Sequence, residues 1–371
     1  MLLSSSTRRP LAVVTLGTSL ALVLTGCANS ETSDSSASSS ATGGAQTLAT
    51  EAPAAEGESE GESEGEGCTL EQYGVEEGLE LSEMTVGFSQ SEKEANPFRI
   101  AETQSMKDEA EAVGVKELLV TNAQSQLSKQ ISDIQDMISQ GAQALVIAPL
   151  NSTGLEPALE AAKAEGIPVI AIDRKLDGAE PCSDYLTFIG SNFVEQGERA
   201  AAQMIEATGG TGKVAILLGS SGNNVTTDRN DGFLKGIEGS ELEVIAQQTG
   251  NFNRQEGQSV TEQFLQSNPD LTAIYAHNDE MALGAIVALK SAGKEPGTDV
   301  KVISIDGTRG AVQAVADGTI NGVVESNPRF GPIAFDTLES FLSGEPIADS
   351  LIISDKEYTP ENAAAEVANA Y

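Results

Sequence analysis

Charged and amide side chains recur directly behind short apolar runs in this 371-residue sequence. Asp173 and Arg174 follow the run at 169–172, Asp306 follows the run at 302–305, and Glu325 closes GVVE at 322–325. Arg229 lies in GSSGNNVTTDRNDGF, which follows the run at 214–218, and Asn278 and Asp279 follow AIYAH at 273–277. Phenylalanines are interleaved: Phe98 stands beside Arg99 in GFSQSEKEANPFR, and Phe252 lies in GNFNR at 250–254. Isolated helix caps would draw mostly on Ser, Thr and Asn, so repeated Asp, Arg and Glu with aromatics point beyond capping. A sugar presents neighbouring hydroxyls, each donor and acceptor at once, and apolar C–H faces. Two-pronged carboxylate, amide and guanidinium groups match such hydroxyls, and an aromatic ring packs on the C–H face. There is no Trp, so Phe or Tyr must supply any stacking.

Elements of a definite kind must position these groups. Apolar runs at 85–88, 118–121, 144–148, 169–172 and 186–189 read as strands, as do those at 214–218, 244–247, 273–275 and 302–305. Several are apolar throughout, as parallel strands covered on both faces should be. Between them apolar residues are spaced by three and four, for instance Leu127, Ile131, Ile134 and Ile138, and Gly141, Gly166 and Gly293 fall where helices should end. This alternation predicts an α/β fold of two doubly wound parallel-sheet lobes, with polar ligands met beyond the carboxyl ends of the strands. At 278–279 the pattern turns from strand to helix, so Asn278 and Asp279 read either as helix caps or as ligand contacts.

The amino terminus is of a different character. Arg8 and Arg9 precede an apolar run at 11–24 and then LTGC, the pattern of a lipoprotein signal over residues 1–26 with Cys27 as the lipidated new first residue. Its removal takes the formal charge from −35 to −37, a field that repels nucleic acid and anionic substrates. Residues 27–80 are expected to form a lipid-anchored acidic tether, since EGESEGESEGEG and its surroundings cannot build a core. The lipid would be the one membrane attachment, because no later run is long and apolar enough to span. With Cys27 lipidated, Cys68 and Cys182 remain as an even pair in an oxidising compartment, which predicts a disulfide; two free thiols are the alternative.

The order of these motifs resembles the substrate-binding proteins of bacterial ABC sugar importers, in the ribose- and galactofuranose-binding cluster. GFSQ at 87–90, FRIAET at 98–103, Asp173 with Arg174, DRNDGF at 228–233, YAHNDEMALGA at 275–285, SIDG at 304–307 and VESNPRFGPIAFD at 324–336 carry the resemblance. It implies two lobes joined by a three-segment hinge and a sugar held between them. The first lobe is expected over 81–190 with 326–349, the second over 191–325 with 350–371. Carried over by position, Phe98 would stack, with Arg99, Asp173 and Arg174 binding hydroxyls from the same side. Arg229, Phe252, Asn278 and Asp306 would contact sugar from the other, with Glu325 at a crossing between the lobes. Glu325 stands where ribose binders have Gln, and together with Arg99 it argues for a hexose in place of ribose. Asn278 is expected to face the sugar and Asp279 to cap the helix. The implied partners are a monosaccharide and an importer permease, with the protein a monomer and no metal, cofactor or catalytic residue required.

Two motifs are declined. GGTGK at 209–213 has the wrong spacing for a phosphate loop and precedes a strand, and the acidic positions at 228–232 are out of step with a calcium loop. His277, the one histidine, cannot build a metal site alone and reads as a supporting or plain strand-end residue. Against the receptor stands an exported glycoside-processing enzyme using Asp173 and Asp306, disfavoured because the flanking arginines should hold both carboxyls ionised. A sugar-sensing receptor is a further alternative, whereas a DNA-binding role lacks the basic unit it would need.

Overall fold

The structure, a computed structural model, describes residues 67–75 and 78–371; the signal segment, Cys27 and the acidic run before Gly67 lie outside them. In chain order the first elements are α1 (Leu70–Tyr73), β1 (Thr85–Gln90), α2 (Pro97–Val113), β2 (Glu117–Asn122), α3 (Leu127–Ser139), β3 (Ala144–Ile147), α4 (Glu156–Ala164), β4 (Val169–Ile172) and β5 (Thr187–Ser191). There follow α5 (Phe193–Thr208), β6 (Thr211–Leu218), α6 (Asn224–Gly236), β7 (Glu241–Thr249), α7 (Arg254–Ser267), β8 (Ala273–Ala276), α8 (Asp279–Ser291), β9 (Lys301–Asp306), α9 (Arg309–Ala316) and β10 (Gly322–Glu325). The chain closes with α10 (Gly331–Leu342), β11 (Ser350–Ile353), β12 (Glu357–Tyr358) and α11 (Ala363–Glu366).

Two six-stranded sheets result, in the orders β2-β1-β3-β4-β5-β11 and β7-β6-β8-β9-β10-β12. All pairings are parallel except β10 with β12. The central strands β1, β3, β4 and β8 are buried at every position because helices cover both faces, which is why β3, β4 and β8 are continuous apolar runs; β1 also buries Thr85, Ser89 and Gln90. In the first lobe Phe88, Val146 and Ile170 pack with Met106 of α2 and Phe335 and Leu338 of α10, while Leu145, Ile147 and Val169 face Ile134 and Met137 of α3. In the second, Ile274 and Val302 pack under α8 and α9, and Ile216 and Tyr275 pack under α5 and α6. Gly141, Gly166 and Gly293 adopt the left-handed φ (91°, 67° and 73°) that ends α3, α4 and α8.

The chain crosses between the sheets after β5, after β10 and between β11 and β12. Here the expected boundaries need correction. β11 belongs to the first sheet, paired with β5, so residues 350–353 are part of the first lobe and the last crossing lies at 354–356. The end of the expected tether is also folded. Cys68 exchanges two backbone hydrogen bonds with Ile347, Leu70 enters the first-lobe core, and the Tyr73 ring meets Phe341 edge-on at 5.9 Å. Cys68 is joined to Cys182 by a disulfide within this lobe. The buried Leu70 and Val75 are the apolar groups that make 68–75 part of the core where the glutamate-rich run before them has none.

Candidate functional site

Both sheets have their order reversed at one point, β1 against β3 and β6 against β8, and both turn the carboxyl ends of their strands towards one cleft. The cleft is lined from both lobes by charged, amide and aromatic side chains, the mixture expected of a polar-ligand site. Across its rim the lobes touch: Asn224 accepts from the Lys175 backbone N–H (3.1 Å) and donates its own N–H to Ser152 Oγ (3.0 Å), while Ser152 N–H donates to the Gly222 carbonyl (3.0 Å).

The first lobe contributes a buried lattice of alternating charge. Arg99 NH1 lies 2.7 Å from Asp173 Oδ2 and 2.8 Å from Glu102 Oε2, and Arg174 NH2 donates to Glu92 Oε1 at 2.8 Å. Arg174 NH1 donates to the Pro149 and Leu150 carbonyls (3.3 and 2.9 Å), which fixes the guanidinium plane. Burial alone would raise the Glu92 carboxyl, but the charges of Arg174 and Arg99 outweigh it and hold it at about 2. Burial would likewise lower Arg99, yet Glu102, Asp173 and Glu92 keep it well above the ordinary arginine value. The Arg99 to Asp173 approach is close but poorly aligned, and Asp173 Oδ2 and Arg174 Nε both lack a hydrogen-bond partner among the described residues. Hydrogen-bonding capacity is thus left over at two buried atoms of cleft residues, the condition for recognising a hydroxyl pair. Phe98 lines the cleft beside them, its ring set edge-on to Phe330 and Tyr371 and 5.1 Å from the Arg99 guanidinium.

From the second lobe come Arg229 of α6, Phe252 after β7, Asn278 after β8 and Asp306 at the end of β9. Arg229 is aimed by its neighbours: Nε donates to Gln196 Oε1 (2.9 Å), NH1 donates to the His277 carbonyl (2.6 Å) and lies 3.7 Å from Asp306 Oδ1. Burial raises the Asp306 carboxyl well above the usual carboxylate range, against the opposing pull of Arg229, and the nearby Asp279 and Asp173 charges add to the rise. At Asp306 burial thus works against the pull of Arg229 that was expected to hold the carboxyl ionised. Gly219, at the end of β6, makes room for Phe252: a Cβ there would stand 2.0 Å from the Phe252 ring.

Eight of the nine expected ligand residues line the cleft: Phe98, Arg99, Asp173, Arg174, Arg229, Phe252, Asn278 and Asp306. Glu325 does not. Its Oε1 accepts from the Tyr358 hydroxyl (2.8 Å) and its Oε2 from the Lys356 N–H (3.0 Å), so both oxygens serve the β10–β12 junction. Glu325 is therefore not free to select a hexose, which leaves Arg99 as the residue expected to do so.

The division between Asn278 and Asp279 is also corrected. Asn278 is itself the cap of α8, accepting from Met281 N–H at 3.0 Å, and faces the cleft as well, donating to the Phe252 carbonyl at 3.3 Å. Asp279 caps nothing in its own helix; it accepts from Ser304 Oγ and from the N–H groups of Gly307 and Thr308 (2.6, 2.9 and 2.7 Å), pinning the loop behind Asp306. His277 supports the site through its backbone carbonyl. Glu92, Asn96 and Val225 line the cleft without having been singled out. Glu92 and Asn96 lie in the loop before Phe98, where nothing in the sequence separates Glu92 from the neighbouring Glu94.

Known proteins show the same plan. A profile of the periplasmic binding protein domain matches residues 86–346. The ribose import binding protein of Bacillus subtilis is 37% identical over 270 residues, covering 72% of this chain and 85% of that protein. The galactofuranose-binding protein of Escherichia coli is 35% identical over 290 residues, covering 76% and 90%. Among solved structures, the binding component of the arabinose ABC transporter from Shewanella sp. ANA-3, bound to α- and β-L-arabinofuranose, superposes with a TM-score of 0.74 at 36% identity over 77% of this chain and 95% of that one. With the family profile covering most of the chain and relatives above 30% identity, the chain belongs to the periplasmic binding protein family.

Proposed function

We propose that this protein is an extracytoplasmic receptor that captures a monosaccharide between its lobes and delivers it to an ABC importer. The observation that carries the reading is the meeting, at the strand ends of both sheets, of aimed guanidinium and carboxylate groups with Phe98 and Phe252. The ligand class is a hexose in furanose form or a related pentose, a choice supported by relatives named for galactofuranose and L-arabinofuranose. Lipidation at Cys27 would hold the protein at the cell membrane as a monomer. A protein that only binds has no need of a cofactor, and the lobes closing on the sugar would create the surface a permease reads.

Titration with D-galactose, L-arabinose, D-ribose and D-fructose tests the reading, with saturable binding and a raised melting temperature expected for at least one. Arg174→Ala and Asp306→Ala should each weaken that binding about tenfold or more, since hydrogen bonds to charged groups are worth about 1.5–3 kcal/mol. Near-normal affinity in both variants would remove the cleft as the binding site. The raised Asp306 carboxyl supports one rival, an exported glycosidase in which a protonated carboxyl acts as general acid. Release of free sugar from a furanoside or pyranoside would establish that rival; binding without turnover would exclude it.

A further inference from the structure

One side chain touches every segment that joins the lobes. Gln196 lies in the first turn of α5, directly after the first crossing, and is 1% exposed. Its Nε2 donates to Asp355 Oδ2 on the third crossing (2.7 Å) and to the Glu325 carbonyl on the second (3.1 Å). Its Oε1 accepts from Nε of Arg229 at 2.9 Å. Asp355 gathers the same three segments from the other side, through the Gln196 amide of the first and by accepting from the Asn327 N–H of the second at 3.2 Å. The cation beside it, Arg199, binds the Asp355 carbonyl and the Glu357 carboxylate and leaves the Asp355 carboxylate to the amide. Neither Gln196 nor Asp355 lines the cleft.

An amide is planar, so its oxygen and nitrogen cannot be moved independently. If the lobes rotate about the crossings, Asp355 and the Glu325 carbonyl shift relative to one another, and the Gln196 amide must turn or lose a bond. Turning it moves the anchor on Arg229 Nε, while NH1 stays tied to the His277 carbonyl. We propose that Gln196 is a positioning residue that makes the aim of Arg229 depend on the hinge, so that lobe closure and presentation of Arg229 to the ligand are one event. A sugar that engages Arg229 in its aimed orientation then favours the closed arrangement by the difference in its affinity for the two states. The inference rests on Arg229 contacting the bound sugar, as in the function proposed above.

The test uses the whole chain and two measurements. In titrations with D-galactose, L-arabinose and D-ribose, Gln196→Met and Asp355→Ala should each weaken binding five- to twentyfold, although neither residue touches ligand. In the Gln196→Met background, Asp355→Ala should change affinity by less than twofold, because the path it acts through is already cut. Asp355→Asn, which keeps an oxygen for the amide N–H, should recover most of the loss. Should Gln196→Met fail to fold by circular dichroism, Gln196→Glu replaces it, accepting from Arg229 but unable to donate to Asp355. Effects of Gln196 and Asp355 that multiply independently, or wild-type affinity in the Gln196 variant, would overturn the proposal. The second measurement needs no ligand: the interlobe distance distribution of the free chain, from spin labels on the exposed Glu111 and Gln263, should broaden in Gln196→Met. If the wild type binds none of the sugars, the function proposed above fails while an unchanged distribution still overturns the hinge inference on its own.

Discussion

Asp173, Phe252 and Asp306 line the cleft with φ of 66°, 56° and 140°, backbone conformations that side-chain-bearing residues seldom adopt. Such strain is retained where surrounding contacts over-determine it, and it concentrates at binding sites. For Asp306 the over-determination is visible, since Asp279 clamps the N–H groups of the two residues that follow it. His277 shows the same logic in its titration. It is fully buried, Nδ1 accepts from the Gly219 N–H at 3.3 Å, and burial together with the Arg229 charge pushes the imidazole down to about 3. An unfolded chain binds a proton at this histidine near pH 6.5, so between about 6.5 and 3 the unfolded state holds more protons and stability falls as the pH falls. Denaturant unfolding of wild type and His277→Asn at pH 7, 5.5 and 4 should therefore show the wild type losing up to about 1.4 kcal/mol more per pH unit than the variant. Parallel pH dependences would show that His277 is not held neutral.

At the scale of the element, β7 ends in a loop whose one aromatic must fit against the last turn of β6. Gly219 makes that fit available, and Gly219→Ala should push Phe252 out of the cleft. Overpacking of this kind costs about 1–3 kcal/mol, so both a lower melting temperature and a weaker sugar titration are expected. A variant with normal affinity would mean that the ring does not cover the ligand. Legibility in the sequence follows the same elements. Strands β3, β4 and β8 were the plainest, because central parallel strands are buried on both faces and so are written in apolar residues without interruption, whereas the edge strands β2 and β7 carry only short apolar stretches, LLV at 118–120 and VIA at 244–246. β11 and β12 could not be read: SLII at 350–353 is half-buried at a sheet edge, and β12 has two residues, of which only Tyr358 is buried. Positions at strand ends were likewise legible, whereas the direction of a side chain there was not. Glu325 and Asp306 end neighbouring strands in register, yet one carboxylate turns to Tyr358 and the other to the cleft. That choice is made by β12, an element the pattern did not reveal.

At the scale of the whole molecule, two α/β lobes share three thin crossings, and Val225 and Phe252 of the second lobe also pack against a first-lobe cluster, so relative motion of the lobes must part those contacts at the cleft. The Cys68–Cys182 bridge acts within the first lobe, spanning 114 residues of sequence. Closing a loop of that length restricts the unfolded chain and is worth about 2–5 kcal/mol. Replacing both cysteines by Ser should lower stability by that order while leaving sugar affinity within about twofold, since neither sulfur lies at the cleft. A large loss of affinity would mean the bridge shapes the site.

The bridge also settles where load enters the body. Cys68 is held by a covalent staple to Cys182 and a two-bond ladder to Ile347, both in the first lobe. A pull at that point is borne by the first lobe and never passes through the crossings, so the second lobe is the member left free to swing. A load applied at Cys68 would therefore shift the first lobe as a unit without tugging the cleft open or shut.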